Sequence, residues 1–255
     1  MNLRVLGCSG AEFPKHRNPG FLLDNEILFD AGSLTNVLNA KEQLRLKHIF
    51  ITHAHLDHIR GIPFLADNII IGHWNQTVNI LSIPSVLKTV KWSLLNKSLW
   101  PDMTVVPSPQ KPVLNLVPLK LDKPSHFNGY AITPLKVNHS VPAVGYLVEG
   151  PDQKSFFYSG DTGPSDTVWR KLRGKEIRCL ILEVSFPNSM EAMALKGGHL
   201  TPGLMRRELD KMNPLPKKIY VTHMKPQLSK LIKRELEGLK IRNLTCLRDG
   251  DHIRF

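Results

Sequence analysis

Short apolar runs closed by turn residues alternate along this chain with segments whose apolar positions recur every three to four residues. Runs of the first kind predict strands and segments of the second kind predict helices, so the pattern indicates a mixed α/β protein. We predict helices at roughly 165–173, 202–212 and 226–237. The predicted strands are Leu3–Leu6, Phe21–Leu23, Ile27–Phe29, His48–Thr52, Tyr130–Val137, Val144–Val148, Ser155–Tyr158, Cys179–Val184 and Lys218–Thr222.

One long segment, residues 74–127, interrupts this alternation. Apolar positions at helical spacing lie between Val86 and Leu95, and a proline-rich stretch from Pro101 to Pro124 follows them. Because proline removes a backbone donor and does not continue a helix, we expect a helix followed by irregular loop. No linker or tandem repeat divides the rest of the sequence. Residues 1–255 are therefore predicted to form a single domain with a helical and loop insertion at about 74–127.

The composition narrows the class of protein. Hydrophobic residues make up 42% and charged residues 22% of the chain, which is a globular composition and excludes a disordered one. No stretch of the sequence is apolar for long enough to span a membrane. The cysteines are scattered, and no basic leader with an apolar stretch behind it opens the sequence. We therefore expect a cytoplasmic protein without disulfide bonds.

The chain is strongly basic. Its 34 Lys and Arg against 22 Asp and Glu give a net charge of +12. An excess of this size suits nucleic acid or small anionic substrates, and by itself it does not separate the two. A set of basic residues near the C-terminus falls largely on helical patterns, where we expect a solvated helix face with a secondary role in steering anions: Arg206, Arg207, Lys211, Lys217, Lys218, Lys225, Lys230, Lys233 and Arg234.

Histidines give the clearest chemical signal. The chain has 11 of them, and His53, His55 and His58 fall within six residues in the pattern H-x-H-x-D-H, with Asp57 as its carboxylate. Alternate histidines in an extended turn can hold one metal ion, and the Asp-His pair can reach a second as the chain enters a helix. Imidazole and carboxylate groups are ligands that zinc and similar ions favour. The pattern therefore predicts a metal site.

A weak sequence similarity between two segments of the chain points to the same site. Residues 48–53 and 218–223 are both β-rich runs that end in Thr-His. In open α/β sheets, ligands gather beyond the carboxyl ends of strands. Two such strand ends, finishing at His53 and His223, can therefore face one site from two halves of the fold.

With further landmarks in the same order, the motif resembles that of the metallo-β-lactamase-fold hydrolases, and the resemblance covers nearly the whole chain. These landmarks are the Asp30 turn before the motif, the lone His139 behind a strand, Asp161 at a strand end, and the final Thr222-His223. The resemblance implies an α/β fold of the αββα sandwich type, in which two mixed sheets are flanked by helices.

The resemblance also implies two divalent metal ions, most often Zn²⁺, with Mn²⁺ or Fe as alternatives. Asp30 is expected to orient a ligand histidine through a hydrogen bond, and an ordinary turn aspartate is the alternative. The expected ligands form two sets that share one bridging carboxylate: His53, His55 and His139 for the first ion, Asp57, His58 and His223 for the second, and Asp161 between them.

Asp57 and His199 are the candidate catalytic residues. His199 lies just before a predicted helix that begins at Thr201-Pro202, where backbone N–H groups and the helix dipole favour anions. A histidine at this position can bond a phosphate oxygen or protonate a leaving oxygen. The alternative is a histidine that merely packs beside the helix cap.

Within the family, the local matches favour the class II cyclic-nucleotide phosphodiesterases. The sequence is similar to that group at Leu56 and Gly61 around the metal motif, at Trp100-Pro101, and at residues 182–188 and 198–202. The similarity implies hydrolysis of 3′,5′-cyclic AMP or cyclic GMP to the 5′-monophosphate through attack by a hydroxide that bridges the two metals. The expected partner is then a small-molecule cyclic nucleotide, with no nucleic acid and no membrane, and with a homodimer as a possible assembly.

The main alternative is a tRNA 3′-processing endonuclease of the RNase Z type. The basic charge and a partial match of Phe13–Asn18 to that group's N-terminal loop favour it. The tRNA-binding arm that those enzymes usually carry has no room between His139 and Asp161, where only residues 140–160 lie. A broad-specificity phosphodiesterase or lactonase-type hydrolase and a non-catalytic ligand-binding member are further alternatives.

Aromatic side chains near the long segment are candidates for contact with a purine base. Core packing is the favoured alternative for each of them, because large aromatic rings are usually buried. The candidates are Trp74, Trp92, Trp100 and Phe127.

Overall fold

Alternate side chains on single strands face two different cores. A computed structural model describes residues 1–151 and 154–254. On the strand Ser155–Tyr158, Phe156 and Tyr158 pack into one buried cluster, whereas Phe157 packs into a second one. Successive strand side chains point to opposite faces, so an apolar run of this kind requires cover on both sides of its sheet.

Sixteen strands within the described residues form two large sheets and a small hairpin. In chain order they are β1 (Asn2–Gly7), β2 (Gly20–Leu23), β3 (Ile27–Phe29), β4 (His48–Phe50), β5 (Val78–Ser82), β6 (Pro107–Ser108), β7 (Lys111–Pro112), β8 (Leu114–Pro118), β9 (Ser125–Phe127), β10 (Tyr130–Lys136), β11 (Val144–Glu149), β12 (Ser155–Tyr158), β13 (Cys179–Glu183), β14 (Lys218–Thr222), β15 (Leu244–Cys246) and β16 (His252–Arg254).

The two large sheets have the same internal plan. The first has the order β16-β1-β2-β3-β4-β5-β8 and the second the order β15-β14-β13-β12-β11-β10-β9. In the first sheet the pairs from β16 to β3 are antiparallel and those from β3 to β8 are parallel. In the second, the pairs from β9 to β12 are antiparallel and those from β12 to β15 are parallel. Both sheets are therefore mixed.

Helices cover the outer faces of the sheets. Leu65 and Ile69 join the buried cluster of the first sheet, and Trp169, Met205 and Ile232 join that of the second. The helices are α1 (Ala40–Gln43), α2 (Leu56–Ile59), α3 (Gly61–Ile71), α4 (Pro84–Thr89), α5 (Asp166–Leu172), α6 (Glu191–Gly197), α7 (Pro202–Leu209) and α8 (Ser229–Gly238), with a π-helical turn at Val90–Leu94 and 3₁₀ turns at Asn188–Met190 and Pro226–Leu228.

This arrangement confirms the predicted αββα sandwich. The nine predicted strands and the three predicted helices all form, with ends displaced by a few residues. The predicted cap of α7 is present: the Thr201 hydroxyl accepts a hydrogen bond from the backbone N–H of Leu204 at 3.2 Å, and Pro202 occupies the first turn. None of the helices in residues 1–151 and 154–254 is long and apolar enough to cross a membrane.

The prediction of a helix followed by irregular loop for residues 74–127 was wrong in part. The helix forms as α4, but β5 precedes it and β8 lies within the proline-rich stretch, and the two strands pair in parallel in the first sheet. Val78, Ile80 and Leu81 are all buried, so β5 lacks the alternation by which a half-buried strand is detected. The segment therefore contributes to the central sheet as well as to its cover.

Candidate metal centre

The predicted ligands lie in loops beyond the ends of strands from both sheets. His53 and His55 follow β4, and Asp57 and His58 lie in α2 directly behind them. The second sheet supplies the remainder from the ends of three strands: His139 behind β10, Asp161 behind β12 and His223 behind β14. The two Thr-His strand ends noted in the sequence thus meet at one edge of the sandwich, one from each sheet.

One group of four side chains surrounds a common point. Ligand atoms of His53, His55, His139 and Asp161 all lie within 4.8 Å of one another. The Nδ1 atom of His55 is 3.0 Å from His53 Nε2 and 3.2 Å from His139 Nε2. Imidazole nitrogens converging at these distances beside a carboxylate make a donor set that fits a divalent cation.

A second group lies on the other side of Asp161. The Nε2 atoms of His58 and His223 are 3.4 Å apart, and Asp57 Oδ2 is 3.4 Å from His223 Nε2. Asp161 faces both groups, with Oδ2 at 3.7 Å from His53 Nε2 and Oδ1 at 3.3 Å from His223 Nε2. Its two oxygens therefore point at separate clusters, as a bridging carboxylate requires.

Asp30 fixes the orientation of the His58 ring through a hydrogen bond to Nδ1. Its carboxylate is fully buried and lies 2.8 Å from His58 Nδ1. It also accepts hydrogen bonds from the Thr52 backbone N–H at 2.8 Å, from the Thr52 hydroxyl and from the Tyr158 hydroxyl at 2.7 Å. With Nδ1 engaged, Nε2 of His58 is the nitrogen left to bind a metal ion.

A backbone carbonyl orients His139 in the same way. His139 Nδ1 donates to the carbonyl oxygen of Gly198 at 2.9 Å, which directs Nε2 toward His55. Gly198 has φ of +70°, and a Cβ atom there would lie 2.7 Å from the Cα of His139. Both the left-handed backbone and the close approach require glycine at this position.

His199 is paired with a buried glutamate that the sequence analysis did not assign. Its Nδ1 lies 2.8 Å from Glu183 Oε1 and 3.2 Å from the Ser185 hydroxyl, which in turn lies 2.8 Å from His223 Nδ1. Glu183 is fully buried at the end of β13, among Leu180, Ile181 and Leu182. A carboxylate in such an apolar strand is costly unless it is paired, and that cost is the sequence signal for its role.

Burial and the neighbouring charges set the protonation of the cluster. Burial, reinforced by His58, holds the pKa of His53 well below its ordinary value and keeps the ring neutral, the form that binds metal. Burial also disfavours the charge on His58, but Asp30 and Asp161 outweigh it and raise the pKa of His58 well above its usual range. The pKa of Asp161 is well below its usual range, because His223 and His58 outweigh the effect of burial.

The aromatic candidates divide into two kinds. Trp74, Trp100 and Phe127 pack against the core of the first sheet, and Phe127 meets Phe50 edge-on with ring centroids 5.4 Å apart. Trp92 is 72% exposed in the π-helical turn. Three of the four therefore follow the core-packing alternative.

The profile of the β-lactamase superfamily domain matches residues 25–224, which include every expected ligand of both groups. The chain belongs to the β-lactamase superfamily. Its His/Asp cluster and its fold together are those of a metal-dependent hydrolase, with side chains that can hold a divalent metal ion.

Curated relatives of this superfamily member carry two different names. It is 29% identical to a probable 3′,5′-cyclic-nucleotide phosphodiesterase of Yersinia pestis over 74% of this chain and 61% of that protein. It is 26% identical to a 3′,5′-cyclic-nucleotide phosphodiesterase of Aliivibrio fischeri, over 91% and 84% respectively. A ribonuclease Z of Staphylococcus carnosus is 29% identical over 59% of this chain and 50% of its own length. The chain thus spans less than two thirds of the Yersinia and Staphylococcus relatives.

Solved structures share the fold over nearly the entire chain. Unliganded yeast PDE1 superposes with a TM-score of 0.80 at 18% identity, covering 98% of each chain. The short form of human tRNase Z superposes with a TM-score of 0.71 at 20% identity, covering 100% of this chain and 99% of that one. At these identities the likeness establishes the architecture of the superfamily domain.

Proposed function

We propose that this superfamily member is a dinuclear-metal phosphodiesterase that hydrolyses 3′,5′-cyclic nucleotides to nucleoside 5′-monophosphates. The observation that carries the proposal is Asp161, whose two carboxylate oxygens face two separate histidine groups. Two cations held on either side of one shared carboxylate would suit in-line displacement at phosphorus. A relative named as a 3′,5′-cyclic-nucleotide phosphodiesterase matches 91% of this chain, against 59%, 69% and 79% for three relatives named ribonuclease Z.

The two donor sets assign residues to two cations. His53, His55 and His139 would hold the first, and Asp57, His58 and His223 the second, with Asp161 shared. Zn²⁺ is the ion we propose, because histidine and carboxylate ligands suit it, and Mn²⁺ or Fe would fit the same donors. When bound, such ions lower the pKa of water and offset negative charge on phosphate oxygens.

His199 is the proposed general acid. Glu183 holds its Nδ1 and, against the effect of burial, raises the pKa of His199, which favours the protonated ring. Nε2 is the nitrogen that remains for the ligand, and it would give its proton to the leaving 3′ oxygen. Asp57 would act with the second group by fixing the position of His223.

Ribonuclease Z activity is the second candidate, favoured by the names of several relatives and by the +12 charge. An enzyme that grips tRNA needs an extended basic platform to neutralise many phosphates. The chain between His139 and Asp161 is taken up by β11 and β12, which pair with each other in the second sheet, so it leaves no length for an arm. We therefore propose a small cyclic nucleotide rather than a nucleic acid as the substrate.

Metal analysis combined with a substrate panel tests the proposal. The protein loaded with Zn²⁺ or Mn²⁺ should convert cyclic AMP or cyclic GMP to the 5′-monophosphate, with little action on a 2′,3′-cyclic nucleotide, and should leave the 3′ trailer of a pre-tRNA intact. Asp161→Ala should abolish the turnover while circular dichroism shows a folded chain. Removal of the trailer without cyclic-nucleotide turnover would transfer the assignment to ribonuclease Z.

A further inference from the structure

Lys225 differs from the basic residues on α7 and just behind it. Arg206, Arg207 and Lys211 lie on the surface of α7 or just behind it, and each pairs with a carboxylate. Lys225 is half-buried, and no carboxylate of the described residues pairs with its ammonium group. A cation removed from water without an anionic partner is unfavourable, and a bound anion would offset that cost.

Two contacts fix this ammonium group against the metal centre. Lys225 Nζ donates to the carbonyl oxygen of Gly10 at 3.0 Å and lies 5.3 Å from the centroid of the Phe186 ring. Gly10 is packed on His223 so closely that a Cβ atom would lie 2.7 Å from His223 Nδ1. Each residue that holds Lys225 is therefore in contact with a histidine of the site, because the ring of Phe186 meets that of His199 at 5.6 Å.

The two histidine rings that Gly10 and Phe186 contact form one surface. The rings of His199 and His223 are stacked at 15° with centroids 5.8 Å apart. Nδ1 of His199 is taken by Glu183, which leaves Nε2 for a ligand. Phe186 lies against both the Lys225 ammonium group and the His199 ring, so the two groups share one aromatic neighbour at the edge of the site.

The backbone presents Lys225 in a fixed conformation. The residue before a proline is restricted to extended backbone, and Lys225 has φ of −70° and ψ of 125° ahead of Pro226. Its carbonyl oxygen accepts a hydrogen bond from the Leu228 N–H at 2.9 Å, which closes the 3₁₀ turn. The ammonium group thus starts from a rigid base and does not have to be recruited from a mobile loop.

We propose that Lys225, held by Gly10 and Phe186 next to His223 and His199, forms an anion subsite beside the metal centre that binds a non-bridging phosphoryl oxygen of the ligand and leaves His199 Nε2 for the leaving oxygen. The subsite serves phosphodiester substrates and the more highly charged phosphomonoester product alike, since hydrogen bonds from an ammonium group to an anionic oxygen are charge-assisted. In this it rests on the proposed function, which supplies the phosphate ester.

Titration of the metal-loaded chain with inorganic phosphate tests the subsite without relying on turnover. By calorimetry, Lys225→Gln should weaken phosphate binding by about tenfold, as loss of a charge-assisted hydrogen bond predicts. Lys225→Arg should retain most of the affinity, and the metal content should stay at the wild-type value in both variants. The matched control is Lys230→Gln, which removes the same charge from an exposed position on α8.

Equal phosphate affinity in Lys225→Gln and wild type would overturn the subsite, and so would an equal loss in Lys230→Gln, which would indicate general surface charge. No phosphate binding by the wild-type protein would overturn it as well. A parallel assay with cyclic AMP separates the two proposals. If wild type fails to turn over cyclic AMP yet phosphate affinity depends on Lys225, the proposed substrate is wrong and the subsite stands.

Discussion

Two carboxylates without exposed surface, Asp30 and Glu183, each hold one histidine of the centre. Asp30 holds His58 and accepts from Thr52 and Tyr158, whereas Glu183 holds His199 and accepts from the Thr162 backbone N–H and the Ser185 hydroxyl. A buried carboxylate is tolerated when its lone pairs are filled in this way. Each carboxylate therefore fixes the orientation of one histidine ring. Its other hydrogen-bond donors offset the free-energy cost of burying the charge.

The backbone is strained at two residues of the same network. Asp30 has φ of +57° and His223 has φ of +65°, both in the left-handed region that non-glycine residues rarely adopt. Such a conformation costs about 1–2 kcal/mol per residue and persists where surrounding contacts determine it. The His58 contact of Asp30 and the Ser185 contact of His223 are contacts of that kind.

Glu183→Gln should lower kcat by about 10- to 100-fold while bound metal stays unchanged, because the amide keeps the shape of the side chain but loses its charge. Glu183 raises the pKa of His199, so the variant should have a lower His199 pKa. Activity that needs protonated His199 is lost as pH rises through that pKa. The alkaline limb of the pH–rate profile should therefore move to lower pH.

The control for this variant is Glu191→Gln, at a partly exposed glutamate that pairs with Arg207 on the surface. Its pH–rate profile should superpose on that of wild type. An unchanged alkaline limb in Glu183→Gln would mean that His199 does not act as the proton donor.

Cys179 should resist alkylation in the native protein. Burial in β13 raises the pKa of its thiol to about 12. At pH 8 only about one thiol in ten thousand is then the reactive thiolate. Peptide mapping after iodoacetamide treatment should find the half-buried Cys246 modified before Cys179, with both modified in denaturant. Equal labelling of the two cysteines in the native state would contradict the buried position of β13.

At the scale of elements, one carboxylate joins α5 and α7. Glu208 on α7 is 2% exposed, and its Oε2 accepts from the Ser165 backbone N–H at 2.8 Å and from the Trp169 indole N–H at 2.5 Å. Its other oxygen accepts from Lys211 at 2.6 Å. These hydrogen bonds attach the first part of α5 to the last turn of α7, and both helices cover the second sheet.

Glu208→Ala should lower the free energy of unfolding by about 2 kcal/mol, because it leaves the buried Trp169 N–H and the partly buried Ser165 N–H without an acceptor. Denaturation in urea measures the loss. The matched control is Asp210→Ala, two residues further along the chain at the C-cap of α7, where the exposed pair with Arg206 predicts a change within about 0.5 kcal/mol. Similar values for the two variants would contradict a stabilising role of the Glu208 contacts.

Elements with a continuous apolar run or an amphipathic pattern could be predicted from the sequence, and β5 and β8 could not. Strands β10 to β14 of the second sheet are runs of this kind closed by turn signals, and helices α5, α7 and α8 carry apolar positions at helical spacing. β5 is a five-residue run interrupted by the polar Asn79, and β8 lies within a proline-rich stretch. Whether these two segments form strands depends on their pairing with each other across residues 83–113, and local patterns do not encode that pairing.

At the scale of the whole molecule, the metal centre joins the two sheets. His53 and His58 belong to the first half of the chain, whereas His139, Asp161 and His223 come from the second sheet. A cation held by both sets therefore links the two layers of the sandwich. Any ligand that binds the folded state and not the unfolded one stabilises the fold.

Chelation should lower the melting temperature of the protein by about 10 °C relative to the Zn²⁺-loaded form. The difference should be larger at pH 8 than at pH 6, because metal ligands bind only after deprotonation and protons compete at the lower pH. Differential scanning fluorimetry with Zn²⁺ or with EDTA measures both effects. The Asp161→Ala variant serves as the control and should show a much smaller metal-dependent shift. Equal melting temperatures with and without metal would contradict the linkage.

The sequence by itself determined the class of fold and the order of the segments that carry the histidines and aspartates, and the division of those residues into two ligand sets stays a prediction from the family resemblance. The spacing in H-x-H-x-D-H and the Thr-His strand ends are local features, so they can be read without knowing the contacts between distant residues. Tertiary structure alone decided which buried carboxylate holds which histidine, that β5 and β8 pair in the first sheet, and that Lys225 contacts Gly10 from the other end of the chain. The physical reason is that these pairings join residues far apart in the chain, and packing of the two sheets brings them together.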